Sequence, residues 1–231
     1  MTILDLELDE DMLLHVESRV RPSLWTPGDH ARASQVKGLI KEAVDKIGEI
    51  SRIRAVHTIM PVEFLNGREI HTRAGSIMSR RFARLASGST GELFVVFLIA
   101  TLGQRASSLA EDQETLLSRL VFDCVLSETI EIVVQRLEEA LHRDMAVCSR
   151  EMTSRFSPGY CDWPLEGQRV VFSALDASSI DVELNDYCVM VPAKSISCVF
   201  LAASSVPSAT PCTFCPLEDC AWRRDTHTGE F

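Results

Sequence analysis

The chain has 231 residues and 46% hydrophobic content, enough for one large domain or two small ones with a real core. Its formal net charge of −10 argues against a nucleic-acid partner, and its longest apolar run, residues 93–100, is too short to span a bilayer. The acidic start, residues 1–11, lacks the cationic lead of a secretory signal, so eight cysteines here imply a reducing, cytoplasmic setting with thiols reduced or metal-bound.

Residues 1–30 are poorly patterned, with a turn expected at 25–29 around Pro27 and Gly28. Residues 35–50 predict an amphipathic helix: Val36, Leu39, Ile40, Ala43, Val44 and Ile47 share one face, opposite Lys37, Lys41, Glu42, Asp45 and Lys46. Residues 53–65 have β character with a break at Pro61, and Asn66-Gly67 predicts a hairpin. An Arg-rich helix is expected over 76–87 with Ile77, Met78, Phe82 and Leu85 inward, then a loop and a central strand at 93–100. A long helical stretch with one break is expected over 113–147. A helix at 165–175 should bury Val170, Val171 and Leu175, and short strands follow at 182–184, 188–191 and 196–202. The Ser/Pro-rich stretch from Ser204 to Pro211 predicts a linker, giving a main domain over 1–203 and a cysteine-containing tail over 204–231. The pattern is α+β, with helices packed on a mainly antiparallel sheet.

Residues 155–168 are the most informative segment. They read Arg-Phe-Ser-Pro-Gly-Tyr-Cys-Asp-Trp-Pro-Leu-Glu-Gly-Gln. Pro158 fixes φ, and Gly159 is free to take the positive φ required at the third position of a type II turn. Pro164 suits a helix start, with Asp162 upstream as an expected cap. Arg155 and Tyr160 flank the turn, one a forked cationic donor and the other an aromatic face with a hydroxyl. That pair suits a small molecule carrying both a carboxylate and a purine.

This segment resembles the Arg-x-Ser/Ala-Pro-Gly-Tyr loop of the activation domain of cobalamin-dependent methionine synthase. The resemblance extends to Gln168, to the block Met190-Val191-Pro192-Ala193-Lys194-Ser195-Ile196-Ser197, to Ala100-Thr101-Leu102-Gly103, and to residues 123–128. It covers roughly residues 90–203. It implies that Arg155, Ser157, Pro158, Gly159 and Tyr160 bind S-adenosylmethionine. Arg155 would hold the α-carboxylate, Tyr160 would meet the adenosine, and Ser157 would contribute main chain. It also implies that Glu128, a carboxylate in an apolar helical span, faces the sulfonium. The family's further acidic contacts have no clean match: Ser149 and Glu151 stand near one position, and Asp5, Asp9 and Asp11 compete for another.

Methionine synthase carries homocysteine, folate, cobalamin and activation modules on one chain, and this chain has room for the last alone. It lacks an Asp-x-His-x-x-Gly corrinoid signature, a dinucleotide-binding glycine motif and a P-loop. The resemblance therefore implies a stand-alone reactivation subunit of a methyltransferase, inactive by itself. Its partners would be a cobalamin-binding methionine synthase or another corrinoid protein, and a flavodoxin- or ferredoxin-like electron donor. The reaction would be reductive remethylation of cob(II)alamin on the partner. Two alternatives are a redox or metal-binding activator of another corrinoid protein, and a non-catalytic S-adenosylmethionine-binding subunit. In the tail, Cys212, Cys215 and Cys220 have a spacing able to surround Zn²⁺ or an iron–sulfur cluster, with Cys161, Cys198 or His227 as a fourth ligand. Cys124, Cys148 and Cys188 read as small core hydrophobes.

Overall fold

The computed structural model describes residues 1–24, 30–50 and 52–214. In chain order it comprises β1 (Thr2–Leu6), α1 (Glu10–Leu24), α2 (His30–Ile50), β2 (Ile53–Pro61), β3 (Phe64–Leu65), β4 (Ile70–Thr72), β5 (Gly75–Ile77), α3 (Arg80–Ser87), β6 (Phe94–Thr101), α4 (Gln104–Ser108) and α5 (Leu116–Val147). Then come β7 (Glu151–Met152), a 3-10 turn (Leu165–Gly167), α6 (Gln168–Ala174), a second 3-10 turn (Ala177–Ile180), β8 (Glu183–Leu184), β9 (Met190–Val191), β10 (Ser195–Ala203) and α7 (Pro211–Phe214). The fold is α+β, as the pattern predicts.

A five-stranded sheet in the order β1-β2-β6-β10-β7, antiparallel at every step, divides the molecule. Alternation along the strands sorts side chains between two cores. Val96, Leu98 and Ala100 of β6 and Cys198, Phe200 and Ala202 of β10 meet α1, α2 and α5 on one face. Val95, Phe97 and Ile99 of β6 and Val199 and Leu201 of β10 meet α3, α6 and the small β3-β4-β5 sheet on the other. Both faces of β6 are covered, which is why its sequence is a continuous apolar run rather than an alternating one.

Several sequence expectations shift. The weakly patterned N-terminus forms β1 and α1, whose Met12, Val16 and Val20 recur every four residues and are buried. The expected turn at 25–29 lies outside the described residues. The helix expected from Ser76 starts at Arg80: Ser76 and Ile77 belong to β5, Met78 is exposed, and Ser79 is the N-cap whose hydroxyl accepts from Phe82 N. The long helix is one unbroken element of 32 residues, opened by a capping box between Thr115 and Ser118. The helix expected over 165–175 is a 3-10 turn followed by α6, with Val171 and Leu175 buried and Val170 half-buried. Cys188 is buried as expected and Cys124 half-buried, but Cys148 is exposed because it caps the solvent end of α5. After β10 the chain stays on the domain: Thr90 N donates to Ser205 O at 3.0 Å, and Ala209 is buried on the α3 side.

Candidate functional site

The segment after β7 runs along the outer edge of β10. Glu151 and Met152 pair with Ala203 and Ala202, and Thr153 N donates to Leu201 O at 2.9 Å. Phe156 and Val199 then exchange backbone hydrogen bonds of 2.8 Å in each direction. Stepping back along β10 from Leu201 to Val199 passes the single residue Phe200, whereas 153 to 156 passes Ser154 and Arg155. That is one residue too many, a β-bulge, the device by which a sheet edge re-aims a side chain. Phe156 consequently enters the α3-side core while Arg155 turns to the opposite face, under α5.

There Arg155 is largely buried, its side chain 16% exposed. Its Nη2 donates to Glu131 Oε2, and its backbone N–H donates to Glu138 Oε1 at 3.3 Å. Its Nη1 is buried without a partner. Burial works against the charge, but Glu131 and Glu138 outweigh it and hold the guanidinium above its ordinary pKa. Cys198, fully buried beside this cluster, has its thiol pushed up to about 12, chiefly by burial. Glu131 and Glu138 stand two helical turns apart on α5, so both face the same neighbour.

Glu128 turns toward α1. It lies 3.8 Å from Arg19 of α1, whose Nη2 also donates to Gln135 at 2.7 Å. The carboxylates that meet Arg155 are thus Glu131 and Glu138. Glu131 carries the same sequence signal as Glu128, a charge inside an apolar helical run, whereas Glu138 sits among charged neighbours and carries none; the packing of α1 and the bulge assign the three.

Beyond Phe156 the loop closes on itself. Tyr160 N donates to Ser157 O at 3.2 Å across the expected turn, with Gly159 at φ 89°. Gly159 N donates to Trp163 O at 2.8 Å, and Trp163 N to Tyr160 O at 3.1 Å. Pro158 and Trp163 are buried, Ser157 is half-buried, and Gly159 and Tyr160 are exposed, so the turn presents its tip to solvent. Asp162 does not cap the helix that follows it. Its carboxylate accepts from Ser79 Oγ at 2.6 Å and from Arg81 N at 3.3 Å, at the start of α3.

The other sequence blocks meet at the start of β10. Ser197 Oγ donates to the buried Gln168 Oε1 at 3.4 Å. Ser195 Oγ donates to Thr101 Oγ1 at 2.8 Å, and Leu102 N to Lys194 O at 3.0 Å. Lys194 Nζ reaches Asp123 at 2.6 Å and Ser127 at 2.9 Å, tying this strand pair to α5. A groove of about 450 Å³ lies nearby between α5, β7 and residues 206–210; its lining stops at Ser154 and includes none of residues 155–160. Cys212 belongs to α7, while Cys215, Cys220 and His227 lie outside the described residues. Among the described residues, no three metal-ligating side chains cluster, and no helix is long and apolar enough to cross a membrane.

No protein-family model matches the chain, and no curated protein sequence matches it. Among solved structures, the chain is similar to the MetH reactivation domain bound to AdoHcy, with a TM-score of 0.62 over 91% of this chain and 81% of that one, at 13% identity. The chain therefore has the fold of that reactivation domain.

Proposed function

We propose that this chain binds S-adenosylmethionine at the 155–160 loop and acts as a stand-alone reactivation subunit for a cobalamin-dependent methionine synthase or another corrinoid protein. The observation that carries it is Arg155: a bulge next to the Ser-Pro-Gly-Tyr turn aims a guanidinium whose Nη1 has no partner, on a fold whose solved relative holds AdoHcy. The residues fit such a ligand. Arg155 carries a forked donor suited to a carboxylate, its Nη1 buried and without a partner, and Glu131 and Glu138 hold that cation in place. The exposed main chain of Gly159 and the ring of Tyr160 supply a surface for the nucleoside.

S-adenosylmethionine supplies an electrophilic methyl carbon when bound. The chain's own task is to hold and orient that ligand, and orientation is where a domain of this kind gains rate. The corrinoid and the electron, the latter from a flavodoxin- or ferredoxin-like protein, come from partners. Cys212, Cys215 and Cys220 add a second proposal, a Zn²⁺ or iron–sulfur site in the tail, tested by elemental analysis of anaerobically prepared protein.

Isothermal titration with S-adenosylmethionine tests the central reading and should give one site per chain. Arg155→Ala should weaken binding by about ten- to a hundred-fold, the size of one charge-assisted contact. Arg155→Lys should recover only part, since Lys lacks the fork. A folded parent that gives no heat at millimolar ligand would overturn the reading. Methyl transfer should appear only when a corrinoid protein and a low-potential reductant are added.

A further inference from the structure

The geometry points to Asp162 as a positioning residue that holds the 157–163 loop in place for ligand, an inference that rests on the function proposed above. The loop leaves Arg155 on the α5 side of the sheet and ends at Asp162 against α3 on the other side, so its two ends are fixed in different layers. Asp162 makes its anchor with both carboxylate oxygens. One accepts from Ser79 Oγ at 2.6 Å and the other from Arg81 N at 3.3 Å.

Ser79 is itself the cap of α3, accepting from Phe82 N at 3.1 Å, and is 2% exposed. The first turn of α3 carries no acidic residue of its own. Asp162 therefore brings, from 83 positions along the chain, the negative charge that a helix start favours. The exchange is mutual: the helix gains a capping charge, and the loop gains a fixed end. Between the anchors, the backbone N–H groups of Gly159, Tyr160 and Trp163 bond within the loop, to Trp163 O, Ser157 O and Tyr160 O. Asp162 adds a polar tie to the burial of Pro158 and Trp163 in fixing the loop's position relative to Arg155, and a ligand that reaches from Arg155 to Tyr160 requires that spacing.

The test compares the parent, Asp162→Ala, Asp162→Asn and Ser79→Ala, with Thr115→Ala as a control that removes the cap of α5 instead. Titration with S-adenosylmethionine and with AdoHcy is paired with amide exchange at Gly159, Tyr160 and Trp163. Asp162→Ala should weaken both ligands about ten-fold, the scale of one lost charge-assisted contact, and speed exchange at those three amides. Asp162→Asn, which keeps an acceptor for Ser79, should fall between it and the parent. Thr115→Ala should lower the melting temperature and leave affinity alone. If Asp162→Ala melts lower yet binds like the parent, or leaves the three amides unchanged, the residue is a helix cap and the inference is wrong. Should that variant not fold, Asp162→Asn and Ser79→Ala carry the same two readouts. A parent that binds neither ligand sinks the site reading, not the anchor, which the exchange rates then decide by themselves.

Discussion

The two sides of the sheet are built differently. The α5 side is covered by helices of 15, 21 and 32 residues whose apolar stripes interlock over a broad core. The α3 side is assembled from pieces of two to eight residues: α3, α6, two 3-10 turns and the β3-β4-β5 sheet. Short pieces cannot satisfy their own ends, so that side relies on side chains reaching backbone across the sequence. Asp162 reaches Arg81 N, Ser173 Oγ reaches Ala74 O at 2.6 Å, and Arg54 Nη1 reaches Ser179 O at 3.2 Å. The candidate ligand loop belongs to this second kind of construction, while the guanidinium it carries is held by the first. Rigidity for Arg155 and access for Tyr160 thus come from different layers.

The sharpest way to break that comparison is to remove one buried ring from each side. Phe122 of α5 and Phe82 of α3 are both fully buried. Each Phe→Ala change should cost about 3–5 kcal/mol in chemical denaturation, the usual range for a large core cavity. Their side effects should differ. Phe82 packs at a tilt against Phe156 with ring centroids 4.9 Å apart, one residue from Arg155, so Phe82→Ala should also loosen amide exchange in the loop. Phe122→Ala should leave the loop's exchange at parental rates. Equal loosening by both would mean that the layers are not independent.

The same division explains what could be read without a structure. Residues 35–50 and 113–147 are legible as helices because long elements repeat their period several times, although the break expected in the second is absent, and residues 93–100 because a strand covered on both faces is an unbroken apolar run. The α1 stripe of Met12, Val16 and Val20 is blurred by the half-buried Leu13 and exposed Leu14 beside it, so its period does not stand out. On the α3 side the errors are local in kind. Asp162 looks like a cap for the nearest helix, because sequence shows only the nearest helix. Its true partner is reached through the fold. The turn at 157–160 was visible, since Pro158 and Gly159 encode it chemically. The bulge that turns Arg155 toward Glu131 was not, because it exists only in the count of residues against β10.

The second prediction concerns Cys198, deep on the α5 side. Its thiol is pushed from 9.0 up to about 12, so between those values the native state keeps a proton that the unfolded chain has released. Stability must therefore fall as pH rises through that window, by about 1.4 kcal/mol for each pH unit from this group. Cys198→Ala should flatten the stability profile above pH 9 by that amount. A thiol reagent should modify exposed Cys148 quickly and Cys198 only on unfolding. An unchanged slope in the variant would place the alkaline sensitivity in other groups.

The third prediction tests the joint between the layers. Arg155→Met leaves Glu131 and Glu138 without their cation, and Glu131→Gln leaves a buried cation without its carboxylate. Each should destabilise the fold, and the double variant should be less damaged than the sum, with a coupling of about 1–3 kcal/mol. Additive losses would mean that the Arg155–Glu131 pair contributes little and that Arg155 is held by the bulge and Glu138.

The smallest effect is expected at Glu151, where the chain after β10 is tied back to the domain. Its Oε2 accepts from Val206 N at 2.9 Å and from Ser205 Oγ at 3.0 Å, and these bonds, the Val206 one first, hold its carboxyl below the usual 4.5. A carboxylate with a lowered pKa contributes above its ordinary value and ceases to as pH falls through the native one. The Val206 amide resonance should therefore titrate with a midpoint under 4.5 in the parent and not at all in Glu151→Ala. That variant should show little change in melting, because the contact is exposed, yet proteases should cut residues 204–214 faster. If cutting stays slow, the burial of Ala209 against the α3 side suffices to hold the segment, and the domain boundary expected at residue 203 moves beyond residue 213. If cutting accelerates while S-adenosylmethionine binding persists, residues 204–214 are separable from the ligand loop.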